Sequence, residues 1–295
     1  MTNVTPAKTP ALKTTLFDLY DAAHFTVWVE DDLTRIFLAE VWGDPDIRIL
    51  NASNKEGVKN LVGGAPRGLR GKTVIGLVDL DFDVAPHCEW DNAARPVVTT
   101  DVHEFENYLL DFDLLAAIAK DSAANIQTIA KTYAESIRYW MACRRSLREL
   151  RRMQPSDFPE DPKPQNVSAQ FMTETEAVEY IAKNPYWKHQ RESVRNFNEA
   201  YFKEQVLRWA KEYQDDLASA DGKWTKTFSG KEIFRHIRLK AAGLDRFHRT
   251  DLTPAQADEA MAMKIARRLQ KPAFEQHPLK LKLDAWKVAL KKRVR

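Results

Sequence analysis

Three aspartates close an apolar stretch of the chain, since Asp79, Asp81 and Asp83 follow the valine- and isoleucine-rich run 73–78. Such a run predicts a buried β-strand, because branched side chains favour extended backbone. Side chains alternate faces along a strand, so Asp79 and Asp81 would project to the same side. Two neighbouring carboxylates repel unless a cation joins them, and oxygen ligands of this kind suit Mg²⁺ or Mn²⁺. The sequence therefore predicts a divalent cation site at the end of this strand.

A second carboxylate, Glu30, ends another run of apolar and branched residues. Between the two runs, the pattern predicts a helix over 33–42, a short strand over 47–50 and a short helix over 56–62. This β-α-β-α-β order predicts an α/β fold with a mainly parallel sheet, whose working groups lie at the carboxyl ends of the strands. Glu30 and Asp79 would then face one crevice.

The pattern changes to helical periodicity after residue 110. Four prolines between residues 154 and 170 exclude a continuous helix there and predict a loop or linker. We therefore predict two domains, a metal-binding α/β domain over 1–112 and a mainly helical region over 113–295. The helices predicted in the second region are a pair within 113–153, then 174–183, 192–217, 231–242, 254–269 and 279–294.

The net charge of +3 hides a division along the chain. Residues 1–115 hold 10 basic and 19 acidic residues, and the remainder holds 35 basic and 23 acidic residues. An acidic portion that gathers metal ions, joined to a basic portion that holds a polyanion, would give this division. Basic helices with solvated faces would give it too. The stretch 264–295, with 11 basic and 2 acidic residues, could guide nucleic acid, dock on an acidic partner or stay solvated.

Arginines crowd one predicted helix, where Arg144, Arg148 and Arg151 or Arg152 recur at helical spacing and predict a basic stripe. Arginine suits phosphate because its planar fork donates two hydrogen bonds, and the neighbouring Trp140 offers a face for an unpaired base. The stripe is therefore a candidate nucleic-acid contact. The alternative is a solvated basic face beside a buried tryptophan.

The two cysteines, Cys88 and Cys143, form no Cys-x-x-Cys pair, so neither a disulfide nor a structural zinc site is expected. No stretch approaches the roughly 20 apolar residues of a membrane span, and residues 1–15 lack the apolar core of a signal peptide. These features predict a reduced, cytoplasmic protein without a membrane partner.

Three segments occur in the order and spacing of a known domain, namely Val27 to Glu30, Val78 to Asp83 and Thr99 to Leu110. Together they resemble the Toprim domain of topoisomerases, primases and overcoming-lysogenization-defect nucleases. They look most like the Toprim branch that includes the AriB-like effector subunits of phage anti-restriction-induced systems, to which Phe228 to Phe234 is loosely similar. The chain departs from the commoner Val-Glu-Gly form, because Asp31 follows Glu30 directly.

The resemblance implies that Glu30, Asp79 and Asp81 bind Mg²⁺, with Mn²⁺ as a substitute, and that Glu106 holds a second ion. It implies an endonuclease that acts as a toxic effector in antiphage defence, with transfer RNA as the favoured substrate and DNA as the other. It also implies an AriA-like, ABC-type ATPase partner that restrains the nuclease. Release from that partner would permit a homodimer.

Alternatives to this interpretation stay open at the level of single residues and of the whole chain. Glu30 could be a solvated strand end, and His103 could transfer protons or merely pack. Of Glu104 and Glu106, one would be at the site and the other solvated. A phosphatase of the Asp-x-Asp type is disfavoured, because Phe82 and Asp83 follow where its motif has other residues. A metal-dependent glycosyltransferase would explain neither Glu30 nor the basic C-terminal part. The main non-enzyme alternative is a Toprim-derived subunit that binds nucleic acid or supports assembly without catalysis.

Overall fold

The computed structural model describes residues 20, 23–65, 71–83, 90, 96–152, 173–183, 199–247 and 251–293. Within these ranges, four strands form one sheet in which every neighbouring pair is parallel. They are β1 (Phe25–Val29), β2 (Ile47–Asn51), β3 (Thr73–Val78) and β4 (Val97–Thr99), in the spatial order β2-β1-β3-β4. The prediction of an α/β fold with a mainly parallel sheet is confirmed. The short strand β4 was not predicted.

The register of the sheet brings three strand ends to one level. Val29, the last residue of β1, lies opposite Asn51 of β2 and Leu77 of β3. The carboxyl ends of these strands therefore finish side by side, and the residues that follow them start from the same edge.

Two helices connect these strands, α1 (Asp32–Trp42) and α2 (Lys55–Gly63). The Asp31 side chain caps α1 by accepting a hydrogen bond from the Thr34 backbone N–H, which gives this carboxylate a local structural role. Helix α2 packs closely on β3, because a Cβ at Gly76 would lie 2.4 Å from Val58.

The remaining described chain is mainly helical. None of the helices in the described ranges is both long and apolar enough to cross a membrane. The predicted loop 154–170 lies outside those ranges, as does the start of the helix predicted from residue 192. The helices are α3 (Phe112–Ala116), α4 (Ala123–Ser136), α5 (Arg138–Arg152), α6 (Glu174–Lys183), α7 (Glu199–Ala218), α8 (Trp224–Thr227), α9 (Gly230–Lys240), α10 (Pro254–Leu269) and α11 (Pro278–Lys292), with 3-10 turns at Phe105–Leu109, Asp245–Phe247 and Pro272–Phe274.

The chain divides into two compact units, which are each discontinuous in sequence. The sheet unit comprises Met1–Asp79, His87–Thr99 and Leu269–Arg295, and the helical unit comprises Leu80–Pro86 and Thr100–Arg268. The sequence grouped the C-terminal helix α11 with the helical region, whereas the compact units assign it to the sheet unit.

Helix α11 packs on α1 within the sheet unit. The Trp42 indole N–H donates to the Leu283 carbonyl at 3.0 Å. Lys291 and Lys287 pair with Asp44 at 2.6 and 3.2 Å. Burial raises the pKa of Asp44, but hydrogen bonds from Lys291 and Lys287 and from the Asp46 backbone outweigh it, so the pKa lies below its ordinary value. Two lysines of the basic C-terminal stretch are thus engaged with a carboxylate of their own chain.

Candidate functional site

Glu30 and Asp79 meet at the carboxyl edge of the sheet. Glu30 directly follows β1, and Asp79 directly follows the neighbouring strand β3. The Asp79 backbone N–H donates to Glu30 Oε1 at 2.7 Å, across 49 residues of sequence. Both residues are half-buried. The predicted proximity of these two acidic residues in one unit is therefore present in the fold.

The oxygen atoms of this pair fit Mg²⁺ in their chemistry. A carboxylate has about four acceptor positions, so one hydrogen bond from a backbone N–H does not prevent it from binding a cation. Magnesium commonly takes one or two protein carboxylates and completes its shell with water and substrate phosphate. Within the described ranges, no group of three or more His, Cys, Asp and Glu side chains is arranged to hold a metal ion. The pair therefore fits a sparsely ligated magnesium ion and does not fit a metal with an all-protein shell.

Asp81 lies in a tight turn, Leu80–Asp83, which belongs to the helical unit. Its backbone has a φ of 51°, in the left-handed region that few residues other than glycine adopt. Thr100 supports the turn, because its hydroxyl accepts from the Leu80 N–H at 3.0 Å and donates to the Val102 carbonyl at 2.7 Å. Sequence reasoning gave Thr100 no role, although it lies in a segment that carries the family resemblance.

His103 also contacts this turn. Its Nδ1 lies 2.6 Å from the Asp81 carbonyl oxygen, and its ring lies 4.7 Å from the Phe82 ring. Burial lowers the pKa of His103, and the nearby Glu104 and Asp81 oppose this only in part. The ring is therefore neutral near pH 7, and Nδ1 donates to the carbonyl. Of the two roles left open by the sequence, packing is the one that these contacts support.

Glu104 has a structural role in the helical unit. Its Oε2 accepts hydrogen bonds from the Ser229 hydroxyl and the Lys231 backbone N–H, both at 2.8 Å. These donors lie at the start of α9, where the positive end of a helix favours an anion. Glu106 is 2% exposed, so neither glutamate is the solvated one that the sequence led us to expect. The role of Glu106 as a ligand of a second ion stays a prediction.

Asn107 attaches the segment that contains Glu104 and Glu106 to the junction between α8 and α9. Its side-chain NH₂ donates to the carbonyls of Thr225 and Phe228, and its Oδ1 accepts from the Glu104 N–H at 2.7 Å. The approach is close, because a Cβ at Gly230 would lie 2.5 Å from the Asn107 backbone nitrogen. Residues 104–107 are thereby held rigidly on α9.

The predicted arginine stripe lies on α5, and its described members contact the turn of the helical unit. The Arg144 guanidinium lies over the rings of Trp140 and Phe82, at 4.6 and 5.3 Å from their centroids. Arg148 lies 3.9 Å from an Asp83 carboxylate oxygen, with both side chains partly exposed. The side chains of Arg151 and Arg152 lie outside the described part. Contact of this stripe with nucleic acid stays a prediction.

Comparison with known protein families, curated proteins and solved structures gives no match. The function of this chain is therefore inferred from its own residues, and above all from the Glu30–Asp79 pair.

Proposed function

We propose that this chain is a Mg²⁺-dependent Toprim-type endonuclease that hydrolyses phosphodiester bonds in nucleic acid. The observation that carries the proposal is the 2.7 Å hydrogen bond from the Asp79 backbone to the Glu30 carboxylate. It brings together two acidic residues from the ends of neighbouring parallel strands. Catalytic groups of open α/β sheets collect at this edge.

The residues have separable tasks in this proposal. Glu30 and Asp79 supply carboxylate oxygens for Mg²⁺ at the strand ends, whereas the role of Asp81 as a further ligand stays a prediction from the resemblance. A divalent ion bound there would activate water and stabilise the leaving oxygen of a phosphodiester. The sheet keeps Glu30 and Asp79 close before any ion arrives, because the hydrogen bond between them is already formed.

Charge supports a polyanionic substrate. The chain after residue 115 carries 35 basic and 23 acidic residues, which would attract nucleic acid at moderate ionic strength. The resemblance to AriB-like effectors makes transfer RNA the favoured substrate, with DNA second. It also makes an AriA-like ATPase the proposed restraining partner in antiphage defence, and a homodimer the proposed released form.

A cleavage assay on the purified chain, freed of any partner, tests the proposal. Transfer RNA and DNA are incubated with Mg²⁺ or Mn²⁺ and with wild type, Asp79→Asn or Glu56→Gln. Asp79→Asn removes a proposed ligand, whereas Glu56 is an exposed carboxylate of α2 in the same unit. We expect cleavage by wild type and Glu56→Gln, and loss of cleavage in Asp79→Asn. Failure of the wild type to cut either substrate with either ion would overturn the proposal.

A second candidate is a Toprim-derived subunit that binds nucleic acid or supports assembly without catalysis. One observation favours it, namely that no group of three or more metal-binding side chains occurs in the described ranges. In that case, the Glu30 contact only ties β1 to β3. The same assay separates the two candidates, since a binding subunit has no cleavage to lose and Asp79→Asn would leave its affinity for nucleic acid unchanged.

A further inference from the structure

Helix α11 has a second apolar face, directed away from the one that packs within the sheet unit. The side chains that it buries recur every three or four residues and are Leu279, Leu283, Trp286 and Leu290. Leu281 and Val288 are instead 47% and 52% exposed, and they lie two helical turns apart on one face. Ala285, which is also exposed, lies between them on that face. The outward side of α11 therefore carries an apolar line along the helix.

The spacing of these side chains distinguishes α11 from α7. Helix α7 also exposes two large apolar side chains, Tyr201 and Leu207. They are six positions apart in the sequence, so they project from different sides of the helix. Single exposed apolar residues are ordinary in soluble proteins, whereas apolar residues aligned on one exposed face are typical of an interaction site. The line on α11 is therefore the better candidate for a contact surface.

The apolar line is narrow, which favours another helix as its occupant. Leu281, Ala285 and Val288 have the alternating spacing of four and three residues along which two helices pack. A helix that lies on a membrane surface commonly has a wider apolar face that includes aromatic side chains. On α11 the tryptophan belongs to the buried face, where Trp286 stacks on Trp90 at 5.2 Å. The outward face is left with aliphatic side chains that suit a helix seam.

Helix α11 is strongly basic, which limits the charge of a partner. It holds five lysines and one aspartate. Three of the lysines are paired within the sheet unit, since Lys287 and Lys291 contact Asp44 and Lys280 contacts Asp284. The one acidic side chain of α11 is thereby engaged by a lysine of its own helix. The remaining two lysines lie beside the apolar line.

These two lysines favour an acidic helix over a second copy of α11. Lys282 directly follows Leu281, and Lys292 is exposed one turn beyond Val288. Two basic helices packed through this line would bring like charges together beside the seam, which opposes their pairing. A helix with glutamate or aspartate beside its apolar residues would form ion pairs there instead.

We propose that the outward face of α11, formed by Leu281, Ala285 and Val288 with Lys282 and Lys292, is the docking surface for an acidic amphipathic helix of a partner protein. Burial of the apolar line stabilises the contact, and the two lysines select the charge of the partner. The inference goes beyond the proposed nuclease function and does not depend on it, because it uses neither residue of the Glu30–Asp79 pair.

Synthetic helical peptides test this surface on the full chain. One peptide has leucine at heptad positions a and d and glutamate at positions e and g. A second replaces the glutamates with lysine, and a third keeps them and replaces the leucines with glutamine. Fluorescence anisotropy measures the binding of each labelled peptide to wild type, to the double variant Leu281→Ser/Val288→Ser and to Leu239→Ser. Leu239 is the matched control, because it is 46% exposed but lies on α9.

We expect wild type and Leu239→Ser to bind the leucine–glutamate peptide in preference to the other two. The double variant should bind it at least roughly tenfold more weakly. Thermal unfolding of the double variant should stay close to that of wild type, because both replaced side chains are exposed. Lys292→Glu keeps the apolar line and should weaken binding of the same peptide by about two- to fivefold, so the inference stays testable if the double variant fails to fold.

Several outcomes would overturn the inference. They are equal binding by the double variant, a preference for the lysine peptide, and no binding of any peptide. Sedimentation of the chain alone and flotation with phosphatidylserine-containing vesicles test the other occupants. Self-association or vesicle binding that the double variant loses would assign the face to a second copy or to a membrane, and either result would refute the acidic partner. Nucleic-acid cleavage should be equal in wild type and the double variant, so this inference and the proposed function can fail separately.

Discussion

Glu30 of the sheet unit and Glu104 of the helical unit make similar contacts with different neighbours. Each glutamate accepts a backbone N–H from far along the chain, Glu30 from Asp79 and Glu104 from Lys231. The partner of Glu30 is itself an acidic residue at the end of a strand. Glu104 instead lies at the positive end of α9 and also accepts the Ser229 hydroxyl. A bound cation would stabilise a carboxylate that lies beside another acidic residue. A carboxylate at a helix N-terminus is already stabilised by the positive end of the helix dipole.

The largest expected difference between the two glutamates is in catalysis. Glu30→Gln should lower the rate of nucleic-acid cleavage by about a hundredfold or more, because a carboxylate that holds a catalytic ion supplies several kcal/mol to the transition state. Glu104→Gln should leave the rate within about tenfold of wild type, at a temperature where it is folded. Rates with saturating Mg²⁺ measure this difference. A large loss in Glu104→Gln and none in Glu30→Gln would reverse the assignment.

The next largest effect is on unfolding free energy, and it concerns the packing of Gly230 against Asn107 in the helical unit. Gly230→Ala places a methyl group about 2.5 Å from the Asn107 backbone nitrogen, and such overpacking costs about 1–3 kcal/mol of unfolding free energy. Gly63→Ala in α2 is the matched control, since a Cβ there meets nothing within 4 Å. Denaturant unfolding of both variants measures the costs. Equal unfolding free energies for the two variants would show that the α8–α9 junction accommodates the added methyl group without cost.

A smaller effect depends on pH and concerns α9 itself. Burial, and then the charge of Lys240, lower the pKa of His236, whose ring stacks on Tyr133 at 4.0 Å. Above about pH 6.5 the histidine is neutral in both the folded and the unfolded chain. Below that pH the unfolded chain takes up the proton first, so stability falls as the pH drops toward the folded pKa.

His236→Phe keeps a stacked ring and removes the titration. We expect the variant to lose less unfolding free energy than wild type between about pH 6.5 and 5, with a difference of at most about 1.4 kcal/mol per pH unit. Urea unfolding at several pH values measures this slope. Identical slopes for the two proteins would contradict a neutral, partly buried His236.

The smallest expected effect is at the partly exposed ion pair between Arg148 and Asp83. Its 3.9 Å separation and partial exposure predict that Asp83→Asn changes the unfolding free energy by less than about 1 kcal/mol. The change should shrink further in high salt. A larger loss of unfolding free energy that salt does not reduce would show that Arg148 of α5 stabilises the turn Leu80–Asp83 substantially.

Local patterns were enough to predict the strands that Glu30 and Asp79 directly follow, because alternation and β-branching act over a few neighbouring residues. Strand β4 was not predicted, because its three residues, Val97 to Thr99, are too few to show a period. The contact of Glu104 with the start of α9 could not be predicted for a different reason. Its partners Ser229 and Lys231 lie 125 and 127 residues away, and no local signal reports such a contact.

The left-handed backbone conformation of Asp81 was also not predictable from the sequence. A strand that continued through Asp81 would direct its side chain to the same face as that of Asp79, which was the basis of the sequence prediction. The structure ends β3 at Val78 and turns the chain at Asp81 instead. The Asp-x-Asp spacing therefore named two candidate acidic residues but did not predict the backbone geometry at the second.

The packing of α11 on Trp42 joins two segments of the sheet unit that are synthesised far apart in time. The residues of the helical unit, up to Arg268, are all translated before α11 emerges to join the sheet unit. Domains usually fold in the order of synthesis, starting from the N-terminus. The sheet unit therefore cannot be complete until α11 has been synthesised, which happens after every residue of the helical unit has been added to the chain.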